Sequence, residues 1–547
     1  MECRRCKARD KGVAESLRPK DRAEKHHIFL FFTCFKGIFF GVAVRQLLFY
    51  FLEDIMDFLA NLVDKINGYI TDYCLVFLLI AVGLFFSIRT KFVQVRCFGE
   101  GMKKVFGGIK LKGDKKGSGL SSFQALATAI AAQVGTGNIV GACGAILVGG
   151  PGAIFWMWVI AFFGMATIYA EAVLAQKTRV VNADGTIEGG PVYYIKHAFK
   201  GKFGKVLAAF FAVATMLALG FMGTMVQSNS IAGTATTAMG IDASWGWIIG
   251  LAVAALAAVI FLGGVKRLAS VTEKMVPVMA CLYIIGSLVV ICARIANVPE
   301  AFGMIFKYAF NANALIGGGV GAALKAAISQ GAKRGLFSNE AGMGSTPHAH
   351  AQADVKDPHE QGVTAMIGVF IDTFIVLTMT ALVVICTLYA GDGALGNSLM
   401  YNRVDGGLLN AAAWPKANLA QMAFGTVFGE VFGNIFVAVC LFFFAFSTIL
   451  SWNFFGKINF QYLFGKKAVP VYTVVAVGFV FLGSIFQNDL VWNLADFFNN
   501  LMVIPNAIAL ITLGMAGMVT GYMAKKCCCK CECELPADAP AATSEEE

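Results

Sequence analysis

Runs of roughly 20 apolar residues recur along the chain, and each is long enough to cross a hydrocarbon core of about 30 Å as an α-helix. The strict alternation of a barrel strand is absent. The pattern therefore predicts an all-α polytopic membrane protein. Its eleven predicted spans are about 73–89, 122–149, 151–177, 205–236, 246–264, 275–295, 314–332, 361–390, 422–455, 468–486 and 493–523.

The charged residues between the spans predict how the chain is oriented. The loop 89–116 carries nine Lys or Arg and only two acidic residues, and such an excess marks cytoplasmic loops. The connection GGPG at 149–152 carries none. The other basic segments predicted on the cytoplasmic side are KTR at 177–179, VKR at 265–267, AKR at 332–334, GKK at 465–467 and AKK at 524–526. The C-terminus is thus predicted to be cytoplasmic.

Ten of the spans divide into two units of five, 122–295 and 314–523, which enter the membrane from opposite sides. Two such units form an inverted-topology repeat, an architecture of many secondary transporters. The remaining segments are predicted as an N-terminal extension dispensable for function (1–55), an extra transmembrane helix with a basic cytoplasmic loop (56–121), an extracellular connection (296–313) and a Cys-rich, then acidic, cytoplasmic tail (524–547).

Composition supports the membrane assignment and narrows the partners. Hydrophobic residues make up 57% of the 547 residues, charged residues 14%, and the mean hydropathy is +0.69. The net charge of +10 is explained by the cytoplasmic loops, and no basic folded domain is present to bind nucleic acid. The tail segment CCCKCEC at 527–533 is a candidate for S-acylation or for a soft metal, or is a disordered tail of minor function.

The stretch AAQVGTGNIVG at 131–141 places Gln133, Thr136 and Asn138 among three glycines inside an apolar run. Each glycine costs about 1 kcal/mol of helix propensity relative to alanine, so the helix is predicted to break there. A second break is predicted at IGGGVG, 316–321. Broken backbone at membrane depth lines cavities, where freed N–H groups suit an anion and freed carbonyls a cation. Close helix packing through Gly137 and Gly141 is the alternative.

Three motifs resemble one family, the alanine or glycine:cation symporters. They are ATAIAAQVGTGNIVGACGAILVGGPGAIFWMWVIAFFGMATIYAEAVLA, GGPVYYI at 189–195 and KRGLFSNEAGMGSTPHAHA at 333–351. The resemblance covers roughly 60–525. It implies Na⁺-coupled, sometimes proton-coupled, uptake of small amino acids in a prokaryotic plasma membrane. The implied fold is a leucine-transporter (LeuT) type 5+5 inverted repeat with one extra N-terminal helix, and no cofactor is implied beyond the co-transported Na⁺.

The resemblance also implies where the amino acid binds, which is between the two breaks. For Gln227, in the polar patch QSNS of the fourth span, the alternative is a hydrogen bond between helices. The implied substrate-binding residues are Thr136, Gly137, Asn138, Gln227, Ile316, Gly317 and Gly319.

The implied cation site pairs the adjacent hydroxyls of Ser447 and Thr448 with the carbonyls of Ala131 and Val134. Four neutral oxygens suit Na⁺ better than a divalent ion. The alternative is that both hydroxyls bond back to carbonyls of their own helix.

Ionisable residues at membrane depth are functional candidates. Asp372, in VFIDTFIVL, is the deepest carboxylate; a proton or cation relay and a structural partner are equally open roles. Glu171 is predicted nearer the cytoplasmic end, paired with a base of a loop. His348 and His350 are assigned to a cytoplasmic gate or loop, because their spacing does not favour a metal.

These observations favour a secondary transporter for alanine or glycine over other classes. An ion channel would show a repeated pore helix or rings of carboxylates. An enzyme would need a nucleophile–base set or a metal cluster in the spans, and no GxxxxGK[ST] loop for ATP is present. The prediction is Na⁺-coupled symport by a non-enzyme; the alternatives are proton coupling or, less favoured, a channel.

Overall fold

A computed structural model of the protein describes residues 62–63, 65–107, 120–183, 185–310, 320–395, 418–486 and 488–519. The extension 1–55, the tail segment CCCKCEC and the residues Ile316, Gly317 and Gly319 lie outside the described residues.

Helices make up most of the described chain, and its strands are one short antiparallel pair in which Val180 lies opposite Glu188. In chain order the elements are α1 (Val76–Arg89), α2 (Val93–Arg96), α3 (Phe98–Gly107), α4 (Ser122–Gln133), α5 (Gly137–Gly149), α6 (Gly152–Thr178), β1 (Val180–Val181), β2 (Ile187–Glu188), α7 (Pro191–Ala198), α8 (Gly201–Met239), α9 (Gly246–Leu262), α10 (Gly264–Ala293), α11 (Val298–Phe310), α12 (Val320–Asn339), α13 (Pro347–His350), α14 (Pro358–Tyr389), α15 (Asn418–Phe428), α16 (Glu430–Phe464), α17 (Val469–Gly483) and α18 (Asn488–Met515).

Within the described ranges, nine helices are long and apolar enough to cross a membrane, and the bent pair α4–α5 raises the number to ten. The helix α12 takes the place of the remaining predicted span. Large side chains such as Leu262, Ile285 and Val474 are exposed on α9, α10 and α17, as expected of helices that face lipid. The prediction of an all-α polytopic membrane protein is confirmed.

The break predicted in the first glycine-rich stretch is confirmed. The helix α4 starts at a capping box, in which Ser121 accepts a hydrogen bond from the Gln124 amide and Gln124 bonds back to Ser121. It ends at Gln133, and α5 resumes at Gly137 with a bend of 43°.

The second predicted break, IGGGVG at 316–321, lies largely outside the described residues, but the end predicted for its span is corrected. The predicted span 314–332 was to end before the basic residues AKR, but α12 continues through Lys333 and Arg334 to Asn339. These two bases therefore lie inside a helix rather than in a cytoplasmic loop. The helical chain is interrupted after Asn339, over residues 340–346, before α13 begins.

A carboxylate from the last helix explains why two bases are tolerated there. Asp496 of α18 lies 2.7 Å from the Lys333 ammonium and 3.3 Å from the Arg334 guanidinium. The guanidinium also stacks 4.6 Å from the centre of the Trp492 ring. Because all three charged side chains are largely buried, this cluster ties α12 to α18 and borders a cavity of about 150 Å³.

The long helices α6 and α14, which come next in the chain after α5 and α13, pack against each other. A Cβ at Gly362 of α14 would lie 2.7 Å from the ring of Tyr169 on α6, so the two helices approach more closely than a side chain would allow. On the predicted extracellular side, the connection 296–313 contains the helix α11, which packs so closely on the start of α6 that a Cβ at Gly152 would lie 2.3 Å from Tyr308.

We expect Asp496→Asn to lower the free energy of unfolding by about 3 kcal/mol or more, because removing one partner of a buried ion pair leaves two cations uncompensated. Thermal unfolding of the purified protein in detergent measures this. The matched control is Asp392→Asn, whose carboxylate is 87% exposed and pairs with Arg294 at 3.6 Å; its cost should be below about 1 kcal/mol. Equal shifts in the two variants would contradict the assignment.

Candidate functional site

The first interruption, residues 134–136, keeps its backbone groups satisfied through side chains. The Gly135 amide donates to the Asn138 side-chain oxygen at 3.0 Å, and the Thr136 amide donates to Gln227 Oε1 of α8 at 3.2 Å. On the other side, the carbonyl of Ala131 accepts from the Thr448 hydroxyl of α16 at 2.8 Å. The polar residues in this helix thus serve the backbone that its break releases.

The second interruption, residues 340–346, is satisfied in the same way from other elements. The Gly342 amide donates to Glu171 of α6 at 3.2 Å, and the Gly342 carbonyl accepts from Asn506 of α18 at 2.9 Å. Gly342 and Gly344 have φ of 88° and 79°, and Glu340 has a φ of 59°. The turn at Gly342 and Gly344 uses backbone conformations that favour glycine.

The two interruptions lie against each other. The side-chain nitrogen Nε2 of Gln133 donates to the backbone carbonyl of Asn339 at 2.8 Å. A Cβ at Gly137 would lie 2.9 Å from the Cα of Ser338, so the start of α5 rests directly on the end of α12. The site is therefore formed where two broken segments from the two halves of the chain meet.

The residues predicted for the substrate are only partly engaged by neighbours. Thr136, Asn138 and Gln227 are fully buried, yet Thr136 Oγ1 and Gln227 Nε2 have no hydrogen-bond partner among the described residues. The Gln227 side-chain oxygen accepts from the Thr136 amide, so the hydrogen bond between helices that was the alternative for this residue is present. Unpaired polar atoms are costly inside a protein, so these two atoms are candidates to bond with a polar ligand.

The structure brings together three of the four residues predicted for the cation. The Ser447 and Thr448 hydroxyls lie 3.4 and 2.8 Å from the Ala131 carbonyl. Both hydroxyls also lie within 3.1 Å of the Phe444 carbonyl of their own helix, so the bonding back to α16 that was the alternative is present as well. Val134, at the end of α4, has non-helical dihedral angles. Gly135 packs closely on Thr448, where a Cβ would lie 2.4 Å from its hydroxyl.

Asp372 of α14 lies beside the first interruption and is fully buried. Its carboxylate accepts hydrogen bonds from Asn138 at 2.6 Å, from Ser338 at 2.9 Å and from Thr373 at 2.8 Å. The ion pairs formed by the described residues do not include it. One carboxylate thus joins the first broken segment, the end of α12 and its own helix through neutral donors.

Glu171 corrects one sequence expectation. It does not pair with a basic loop residue but accepts from the Gly342 amide and from Asn506 Nδ2, the latter at 2.6 Å. Asn506 in turn accepts from the Tyr194 hydroxyl of α7. Residues that lie far apart in the sequence form this contact, so charge patterns along the chain did not reveal it.

Sequence reasoning missed Glu340 and its neighbours. The Glu340 carboxylate, fully buried, accepts from the Trp452 indole of α16 and from the Ser345 hydroxyl. The Trp452 ring meets Phe337 edge-on, with centres 5.5 Å apart. The sequence did offer one signal. Trp452 lies four residues after Thr448, so both side chains lie on the same face of α16.

His348 and His350 lie on α13, outside the membrane-spanning helices, beside the β1–β2 connection that is predicted to be cytoplasmic. Burial lowers the pKa of His348 to about 4 and that of His350 to about 3. Both rings are therefore neutral near pH 7, and His348 bonds to Asn459 and to the Ser345 carbonyl. They pack α13 in place, and neither belongs to a metal-ligand group of the described residues.

Comparisons with known proteins agree with the family suggested by the motifs. A family model described as "Sodium:alanine symporter family" matches residues 56–526. The chain is 40% identical over 460 residues to the sodium/alanine symporter AgcS of Methanococcus maripaludis. The matched region covers 84% of this chain and 95% of that protein.

Two relatives from Bacillus subtilis are similar over nearly the same length. The putative sodium/proton-dependent alanine carrier protein YrbD is 37% identical over 84% of this chain and 91% of its own. The probable sodium/glutamine symporter GlnT is 35% identical over 83% of this chain and 88% of its own. All three names mention sodium, but they differ in the further cation and in the amino acid.

We expect Gly137→Ala to destabilise the protein by about 1–3 kcal/mol, because the added methyl group would have to displace the backbone of α12. The control in the same helix is Gly141→Ala, whose methyl group would meet no atom closer than 3.8 Å. Thermal unfolding in detergent compares the two. A Gly141→Ala variant as unstable as Gly137→Ala would contradict this explanation, because its methyl group meets no close contact and alanine is the better helix former.

Proposed function

Because the chain belongs to the sodium:alanine symporter family, we propose that it is a secondary active transporter that couples inward Na⁺ movement to uptake of a small neutral amino acid, alanine or glycine, by alternating access. The family and the spans establish a multi-pass membrane protein and a symporter rather than an enzyme. The cation, the amino acid, a prokaryotic plasma membrane and a cytoplasmic C-terminus are part of the proposal.

The fold that we propose is the LeuT-type inverted repeat, and a reciprocal pair of contacts supports it. Asp372, on α14 of the second unit, accepts a hydrogen bond from Asn138, which lies just after the first interruption. Glu171, on α6 of the first unit, accepts a hydrogen bond from the Gly342 amide in the second interruption. Equivalent elements of two inverted units would make such equivalent contacts, each reaching across to the other unit.

The proposed substrate site lies at the first interruption, with Thr136, Gly137, Asn138 and Gln227. Ile316, Gly317 and Gly319, which the resemblance also implies, lie outside the described residues. The observation that carries it is the pair of buried unpaired atoms, Thr136 Oγ1 and Gln227 Nε2. The hydroxyl and the amide nitrogen can both donate to a carboxylate. The Phe337 ring, which packs on Trp452, also lies beside Gly137; we propose that these two rings restrict the site to a small side chain, such as that of alanine or glycine.

The proposed Na⁺ site uses the Ser447 and Thr448 hydroxyls with the carbonyls of Ala131 and Val134. Supporting it, Thr448 already touches the end of α4 at Ala131, where the helix leaves carbonyls without helical partners. A cation between α4 and α16 would hold the broken helix against α16. Binding Na⁺ would thereby prepare the adjacent Thr136 and Gln227 for the amino acid.

Proton coupling remains the second candidate because of Asp372. Its carboxylate is buried without a basic partner in any ion pair of the described residues, and a carboxylate at membrane depth is a candidate for a proton relay. In this alternative Asp372 carries the proton. In the main proposal it is a positioning residue that orients Asn138 and Ser338.

We expect Thr448→Val to weaken the apparent affinity for Na⁺ about tenfold or more, because it removes one oxygen ligand and keeps the side-chain shape. Uptake of radiolabelled alanine into proteoliposomes, driven by an inward Na⁺ gradient and compared with equal K⁺, measures it. The double variant Ser447→Ala, Thr448→Ala should lose Na⁺-dependent uptake.

The matched control for Thr448→Val is Thr473→Val on α17, whose hydroxyl bonds only to the Val469 carbonyl of its own helix among the described contacts. Its Na⁺ dependence should be that of the unaltered protein. Na⁺-dependent uptake that is unchanged in Thr448→Val would refute this cation site.

We expect Asp372→Asn to lower the maximal uptake rate at least about tenfold while it changes the apparent Na⁺ affinity less than Thr448→Val does. An asparagine offers one oxygen where the carboxylate accepts three donors through two, so Asn138 or Ser338 loses its partner. Uptake is measured with a Na⁺ gradient alone and with a proton gradient alone. Proton-driven uptake in the unaltered protein that disappears in Asp372→Asn would favour the proton-coupled alternative.

A further inference from the structure

A group of metal-ligating side chains lies away from the proposed transport site. Cys97 follows α2, Glu100 lies in the first turn of α3, and His359 lies in the first turn of α14. One ligand atom of each, the thiol sulfur, a carboxylate oxygen and a ring nitrogen, lies within 4.8 Å of the others. Two segments separated by more than two hundred residues in the sequence thus bring three different donors together.

The spacing of the His359 and Glu100 donors matches the first coordination shell of zinc, and the Cys97 sulfur lies within 4.8 Å of both. His359 Nε2 lies 3.3 Å from Glu100 Oε2. Two ligands at about 2.0 Å from a tetrahedral Zn²⁺ lie about 3.3 Å apart, and a thiolate at about 2.3 Å lies only slightly farther from each. A Zn²⁺ ion would therefore need little rearrangement of the imidazole and the carboxylate.

The imidazole is also held as a metal-binding histidine usually is. The Tyr169 hydroxyl lies 2.7 Å from His359 Nδ1, which leaves Nε2 directed toward Glu100. Such a partner on the second ring nitrogen fixes the ring and its tautomer. The His359 side chain is 5% exposed and that of Glu100 is 36% exposed, so the ring is rigidly packed while the site is open to solvent.

The donor set selects the class of metal. A thiolate and an imidazole are ligands of Zn²⁺ and similar transition metals, whereas Mg²⁺ and Ca²⁺ take oxygen ligands. Three protein ligands leave the fourth position of a tetrahedral site to water. We propose that Cys97, Glu100 and His359 form a Zn²⁺ site on the predicted cytoplasmic side, which joins the α2–α3 segment to the start of α14.

This site would act on the same helix as the transport site without contributing to it. The α14 helix carries Asp372, about three turns from His359, and α6 carries both Tyr169 and Glu171. A bound ion would fix the end of α14 to α3, where the Lys104–Glu360 ion pair at 3.1 Å already links them. The inference therefore stands whether or not the proposed cation and substrate residues are right.

Titration with Co²⁺ tests the site, because Co²⁺ replaces Zn²⁺ in tetrahedral sites and a Co²⁺–thiolate bond absorbs in the near ultraviolet. The full-length chain is used with Cys3, Cys6, Cys34 and the five cysteines of 527–533 replaced by serine, so that terminal thiols do not contribute. We expect one Co²⁺ per chain with this band, displaced by added Zn²⁺ but not by Mg²⁺.

In this background, Cys97→Ser should abolish the band and His359→Gln should weaken Co²⁺ binding at least about tenfold. Tyr169→Phe should weaken it about tenfold, because His359 Nδ1 loses its bond to the Tyr169 hydroxyl. The control is Cys74→Ser, an exposed cysteine elsewhere, which should bind as before. Thermal unfolding without metal confirms that each variant is folded. Absence of the band, or a band that survives in Cys97→Ser, would overturn the proposal.

Discussion

The backbone groups released by two interrupted helices must find partners away from water, and the rest of the structure depends on this requirement. A buried N–H or carbonyl without a partner costs about 1–3 kcal/mol, and membrane depth offers no alternative in solvent. Each half of the chain supplies side-chain partners for the backbone of the other half. The Asn339 carbonyl accepts from the Gln133 side chain, the Gly342 amide donates to Glu171, and the Ala131 carbonyl accepts from Thr448. Neither break is stable without the other half of the chain, so the two halves are held together at the point where each is weakest.

The contacts at the breaks differ in kind from those that anchor their helices. Around the breaks, buried carboxyl groups accept hydrogen bonds from neutral donors: Asp372 from Asn138 and Ser338, and Glu340 from Trp452. Farther along α12, full charges meet at Asp496 with Lys333 and Arg334. Breaking the latter would leave buried charges uncompensated, whereas exchanging one neutral donor for another costs far less. A transporter needs this distribution, because its helices must remain assembled while the contacts around the cargo change.

The sequence was sufficient where the information is local and insufficient where it depends on distant partners. Three glycines within VGTGNIVG lower helix propensity on their own, so the first break was found. Lys333 and Arg334 read as the end of a span because the neutralising Asp496 lies some 160 residues away. The break at 340–346 was missed for a related reason, since NEAGMGST has fewer glycines than IGGGVG, and the contact between Gly342 and Glu171 is not visible in either segment alone. The roles of the site residues remain predictions.

Three buried carboxylates near the breaks limit how the site can carry charge. Asp372, Glu340 and Glu171 are all fully buried, and each accepts hydrogen bonds only from neutral groups among the described contacts. Hydrogen bonds offset only part of the cost of burying an ionised carboxylate, so a cation bound beside these groups would offset more of it. In the symport that we propose, such a cation would also offset the carboxylate that a zwitterionic amino acid brings into the site. Each of the two cargoes would then bind better when the other is present.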